Sequence, residues 1–126
     1  MNHEVTGLLL VLAAVVVESF AQLFLKIGAS GGPGILVLPY RDHVARFHAG
    51  APARYWVAAG LLAYVAEVVL YTLALHFLDV SVAFPLGSLC FIGVALLSRW
   101  FLGETVGSTR WLGVAFILVG AICVAL

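Results

Sequence analysis

The chain has 126 residues, enough for one soluble domain, but hydrophobic residues make up 64% of it and charged residues 10%, against roughly 45–50% and 25% in soluble domains. At a mean hydropathy of +1.18 there are too few polar side chains to cover a water-facing surface, so the solvent is lipid. Six Lys+Arg balance six Asp+Glu, which leaves no basic face for nucleic acid, and the two isolated cysteines, Cys90 and Cys123, support neither a disulfide framework nor a zinc knuckle.

A helix needs about 20 mostly apolar residues to cross ~30 Å of hydrocarbon. Four stretches meet that length, residues 7–27, 55–78, 80–100 and 109–126. They predict an all-α integral membrane protein with one four-helix domain over residues 1–126. The first stretch follows Met-Asn-His-Glu, which lacks the positive region of a secretory leader, and stays apolar up to Lys26. It is therefore expected to be a span and not a cleaved signal.

Within that span Glu18 stands eleven residues after Gly7, about 16 Å along a helix and so near mid-membrane. Glu18, Gln22 and Lys26 recur every four residues, a polar stripe running from mid-membrane to one edge. A charged acid at that depth costs about 2.5–3.5 kcal/mol on insertion scales, so such residues face a bundle interior and mark a function. A carboxylate there can hold a proton or a cationic group, in competition.

The long connection over residues 28–54 opens with Gly28-Ala29-Ser30-Gly31-Gly32-Pro33-Gly34, where helix cannot persist. The apolar hexamer Ile35–Tyr40 is too short to span. It reads as an interfacial segment or as a hairpin against the bundle. Asp42, His43 and His48 are scattered without ligand spacing, and no metal site is expected.

The second span carries a second polar face, with Tyr64, Glu67 and Tyr71 at i−3, i and i+4. Glu67 falls twelve residues after Tyr55, again about 18 Å deep. Its plain alternative is a protonated acid bonded to a tyrosine hydroxyl, as that of Lys26 is snorkelling to the interface. Spans two and three are joined by a tight turn around Leu78-Asp79-Val80. In the third, Phe84, Pro85, Gly87 and Ser88 cluster. Pro85 removes a backbone donor, which is tolerated where a cavity or a neighbour satisfies the freed carbonyl. After the polar, Gly-bounded loop 103–107, Gly113 and Gly120 lie seven apart on one face of the last span. That face predicts a dimer seam, with packing inside the chain as the alternative.

The cations set the orientation. Lys26, Arg41, Arg46 and Arg54 belong to the first loop, and Arg99 and Arg110 flank the third. Four spans put these loops on one side, which the positive-inside tendency makes cytoplasmic, with both termini outside. Trp56, Trp100 and Trp111 fall near that boundary, as an aromatic belt does.

Together these residues resemble a known family. The run Ala14–Lys26, with Glu18 and Lys26 eight apart, is similar to the first helix of the small multidrug resistance family in the drug/metabolite transporter superfamily. The match continues through Val82–Ser88, Trp100–Glu104 and Gly113–Gly120. Ala21-Gln22, Ala83-Phe84-Pro85, Ser88-Leu89, Glu104 and Trp111–Ile117 are similar to one branch of the superfamily, the small flippase subunits for aminoarabinose linked to undecaprenyl phosphate. The resemblance implies a multi-pass bacterial inner-membrane protein. It would act as a dimer, with itself or with a paralogous subunit, its first three helices enclosing a substrate cavity and the fourth dimerising. In the drug-exporting members the glutamate matching Glu18 is the shared proton and substrate site, and the tryptophan paired there with the aromatic at Phe84 is replaced here by Gly87, which widens the cavity.

The leading expectation is a flippase for a lipid-linked aminosugar. Glu18 and Glu67 would receive the amine, while Lys26 and the loop arginines would meet a phosphate at the cytoplasmic edge. Gln22, Tyr64, Tyr71, Phe84 and Ser88 complete the substrate- and proton-binding set, with Pro85 and Gly87 as the helix break. A proton-coupled exporter of small cations and a non-transporting assembly subunit are the alternatives. No nucleotide loop, nucleophile elbow or metal-helix motif is present, so neither an enzyme nor a cofactor is expected.

Overall fold

The computed structural model describes residues 2–29, 53–103 and 105–126. The interfacial segment of the first loop, Arg41, Asp42, His43, Arg46, His48 and Glu104 lie outside the described residues. Five helices account for the four expected spans: α1 (His3–Ala29), α2 (Ala53–Leu75), α3 (Val80–Gly87), α4 (Cys90–Phe101) and α5 (Ser108–Ala125). Four helical stretches are long and apolar enough to cross a membrane, α3 and α4 together making the third.

α1 begins one turn before the expected residue 7. Glu4 in its first turn and Lys26 in its last complement the helix dipole. α2 stops at Leu75 instead of running to Leu78. The amides of Phe77 and Leu78 both donate to the Ala74 carbonyl, at 2.9 and 3.0 Å, and so close the turn early. Asp79 then takes an extended conformation and starts α3, its carbonyl accepting from Val82 and Ala83.

The third span is bent, and the bond pattern gives the cause. Pro85 supplies no amide to the carbonyl one turn back. The Ser88 amide and hydroxyl both donate to the Pro85 carbonyl. Leu89 then donates to Leu86, Phe91 to Ser88 and Ile92 to Leu89, a run of three-residue bonds that tightens the chain before α4 begins. At its far end α4 stops at Gly103, the one described residue with positive φ (66°), which ends the helix in a left-handed turn.

α1 is the central helix and packs antiparallel on α2 along most of its length. Small residues permit the approach. A methyl group on Gly60 would lie 2.8 Å from Leu25 Cγ and 3.2 Å from the Ala21 carbonyl oxygen, and one on Gly7 would lie 2.6 Å from Leu78 Cγ. The apolar core gathers Val11 and Val15 of α1, Ala74 of α2, and Ala83 and Leu86 of α3. A second cluster joins Leu23 and Ile27 to Leu102 at the other end. α5 is attached from one side only, chiefly to α3 and scarcely to α4. Most of its apolar side chains, Phe116 at 69% exposure among them, face outward.

Candidate functional site

The polar stripe of α1 borders two cavities in succession, with Glu18 half-buried and Gln22 and Lys26 exposed. The first has a volume of about 330 Å³ and is bounded by Glu18, Glu67, Tyr71, Phe84, Gly87 and Ser88. Val11, Ala14 and Val15 form its apolar back wall, with Cys90 and Phe91 at the start of α4. The residues that sequence spacing assigned to mid-membrane on separate helices thus converge on one space. Glu18 and Glu67 are near enough to act on each other electrostatically, and no Lys, Arg or His lines the cavity among the described residues. Two carboxylates lining one space at that depth favour a bound cation over bare charges.

The tyrosines differ in their roles. Tyr64 accepts a hydrogen bond from the Gln22 amide, which ties the stripe of α1 to α2 below the cavity. The Tyr71 hydroxyl is buried without a hydrogen-bond partner, so it does not tie up Glu67 as the plain reading of that acid requires. A buried hydroxyl of this kind is costly unless something else fills its valence. Phe84 and Phe91 flank the space at 73% and 58% exposure. One side of the cavity is therefore apolar and open to the outside of the bundle.

The second cavity, about 170 Å³, lies further along α1 and is lined by Ser19, Gln22, Lys26 and Ser98 among apolar neighbours. Between the two, α4 comes closest to α1. A methyl group on Gly93 would lie 2.9 Å from Ser19 Cβ, so glycine is required at this crossing. Pro85 lines neither cavity and acts through the bend that sets Gly87, Ser88 and Cys90 against α1 and α2. Gly113 and Gly120 line neither cavity, and a methyl group on either would meet nothing within 4 Å among the described residues. Packing inside the chain therefore does not account for them.

Over residues 5–126 the chain matches the family described as the EamA-like transporter family. The chain belongs to the EamA-like transporter family. That membership makes it a membrane transporter and not an enzyme. Among relatives it is 31% identical to a probable 4-amino-4-deoxy-L-arabinose-phosphoundecaprenol flippase subunit ArnF of Proteus mirabilis, over 91% of this chain and 88% of the relative. It is 39% identical to a probable flippase subunit ArnE for the same compound from Salmonella paratyphi B, over 53% of this chain and 60% of the relative. It is 35% identical to the corresponding ArnE of Pseudomonas syringae, over 52% and 58%. The chain thus spans little more than half the length of the ArnE relatives and most of the ArnF relative. No solved structure matches it.

Four residues of this EamA-like site escape a search for polar motifs. Cys90, an isolated cysteine in the sequence, lines the first cavity together with Glu18. Ser19 and Ser98 line the second cavity. Gly93 permits the crossing between them. A signal existed: Gly87, Cys90, Val94 and Ser98 follow three- and four-residue steps, so they share one face once the bend is ignored.

Proposed function

We propose that this EamA-like protein is a subunit of an inner-membrane flippase that carries an undecaprenyl-phosphate-linked aminosugar, the class of cargo for which its relatives are named. The observation that carries the reading is the cavity holding Glu18 and Glu67 with no cationic residue among its described lining. An ammonium group supplies positive charge beside the carboxylates at mid-membrane, which a neutral sugar would not. The apolar side between Phe84 and Phe91 lets a lipid tail stay in the bilayer while the headgroup enters. Glu18, backed by Gln22, is the principal amine or proton site, with Glu67 and Tyr71 completing the cradle and Ser88 at its rim.

In this reading the end bearing Lys26, Arg54, Arg99 and Arg110 is cytoplasmic and both termini face outward. The working unit is a dimer joined through the Gly113 and Gly120 face of α5, with a paralogous subunit as partner. A single orientation disfavours an inverted second copy of this chain.

The test is amine exposure in vesicles containing the protein, its co-purified partner and a polyprenyl-phosphate aminosugar. A membrane-impermeant amine reagent should label the lipid progressively, and Glu18→Gln should slow that labelling more than tenfold. Proton flux stimulated by lipophilic cations, with no change in amine exposure, would replace the flippase by a cation exporter. Normal transport with both glutamates replaced would leave an assembly subunit.

A further inference from the structure

We propose that the smaller cavity, lined by Ser19, Gln22, Lys26 and Ser98, is a separate phosphate subsite, so that the two cavities together recognise a headgroup with an amine at one end and a phosphate at the other. The inference rests on the aminosugar reading for the upper half of that pair. It adds a second site of opposite charge and a fixed direction for the cargo.

The argument begins with how charge is distributed along α1. Among the described residues the first cavity is lined by two carboxylates and no cation, and the second by Lys26 and no carboxylate. Glu18 and Lys26 are eight residues apart, about 12 Å of helix. One sugar with a charged group at each end can bridge that interval once both side chains reach in. The cavities are kept distinct by the crossing of α4 over α1 at Gly93 and Ser19. This crossing separates the space beside Lys26 from the space beside Glu18.

The polar inventory of the second cavity fits an anion. The Lys26 ammonium brings the charge, and the Gln22 amide, which spends one N–H on Tyr64, has a second N–H to offer. The Ser19 and Ser98 hydroxyls donate to the carbonyls of Val15 (2.8 Å) and Ala95 (3.0 Å) and can rotate towards an incoming oxygen. At about 170 Å³ the space holds a phosphate with one substituent and not a whole glycolipid headgroup. The cargo therefore binds with its phosphate towards the cationic end and its amine towards mid-membrane.

The chemistry of the subsite is that of a phosphate ester, which a polyprenyl phosphate or free inorganic phosphate would both present. Affinity for polyprenyl monophosphate, which carries no sugar and no amine, should be measured by native mass spectrometry, with polyprenol and inorganic phosphate as competitors. Lys26→Gln should weaken binding at least tenfold, Lys26→Arg should restore it to within about threefold, and Glu18→Gln should leave it within twofold. Displacement by inorganic phosphate at millimolar concentration marks a site for the phosphate group itself. Resistance to inorganic phosphate marks one that needs the lipid, and either supports the subsite. Unchanged affinity in Lys26→Gln, or displacement by polyprenol, overturns it. The two readings fail separately. Lost phosphate binding in Lys26→Gln without movement of the aminosugar lipid keeps the subsite and removes the flippase. Loss of transport in Glu18→Gln with intact phosphate binding in Lys26→Gln does the reverse.

Discussion

At the scale of single residues, the carboxylate pair decides what the cavity can accept, and the pair is not symmetrical. Glu18 shares its cavity with Cys90 and has Gln22 one turn on, and Gln22 is itself bonded to Tyr64. Glu67 stands beside a tyrosine whose hydroxyl has no partner. Glu18→Gln keeps the side-chain shape but removes both charge and titration. It should lower the initial rate of amine exposure in vesicles more than tenfold, with expression and assembly unchanged on size-exclusion chromatography. Glu67→Gln should cost about two- to fivefold in the same assay, since one charged partner remains for the amine. Equal losses would make the pair a single shared site. The depth of both acids was legible in the sequence, because counting 1.5 Å per residue from the span ends needs no tertiary information. Their convergence was not, since a helical stripe states which residues share a face and not which helix that face meets.

At the scale of the helices, identical substitutions should have opposite consequences. Gly60→Leu drives a branched side chain into Leu25 and the Ala21 carbonyl, so it should separate α1 from α2 at a cost of about 1–3 kcal/mol. The expected reading is a lower midpoint for thermal unfolding in detergent. Gly113→Leu and Gly120→Leu meet open space and should leave that midpoint within error while reducing cross-linking between subunits. Cross-linking that survives both changes would remove α5 as the seam. Gly103→Ala should cost about 1–2 kcal/mol through its positive φ alone, with the same thermal readout. Four spans and a tight second turn could be read from hydropathy and the residues around Asp79. The break after Gly87 could not be placed from Pro85 alone, because the bend is spread over the bonds from Ser88 to Ile92. The pairing of α5 with α3 also had no sequence signal, since an apolar helix face looks the same whether lipid or protein covers it.

At the scale of the whole molecule, the charge bias predicts how the chain sits in the bilayer. All six Lys/Arg residues fall in or beside the first and third connections between spans. Reporter fusions should therefore find the C-terminus outside in nearly all molecules, and an even split would refute a single orientation. A single orientation would also make the direction of cargo entry a property of each subunit. The two subunits then need not be equivalent, and a partner with the reverse bias would present its carboxylates to the opposite leaflet.

The position of Cys90 has a practical consequence for following such a cycle. A thiol built into the wall beside Glu18 makes the transporter its own occupancy gauge. Cys123 is the only other cysteine, and it lies exposed on α5, away from the cavity. With Cys123→Ser in place, alkylation by a small maleimide reports a single location. A resident headgroup should slow that reaction, and an emptied cavity should restore it. The rate of adduct formation thus becomes a clock for loading and release that needs no labelled lipid.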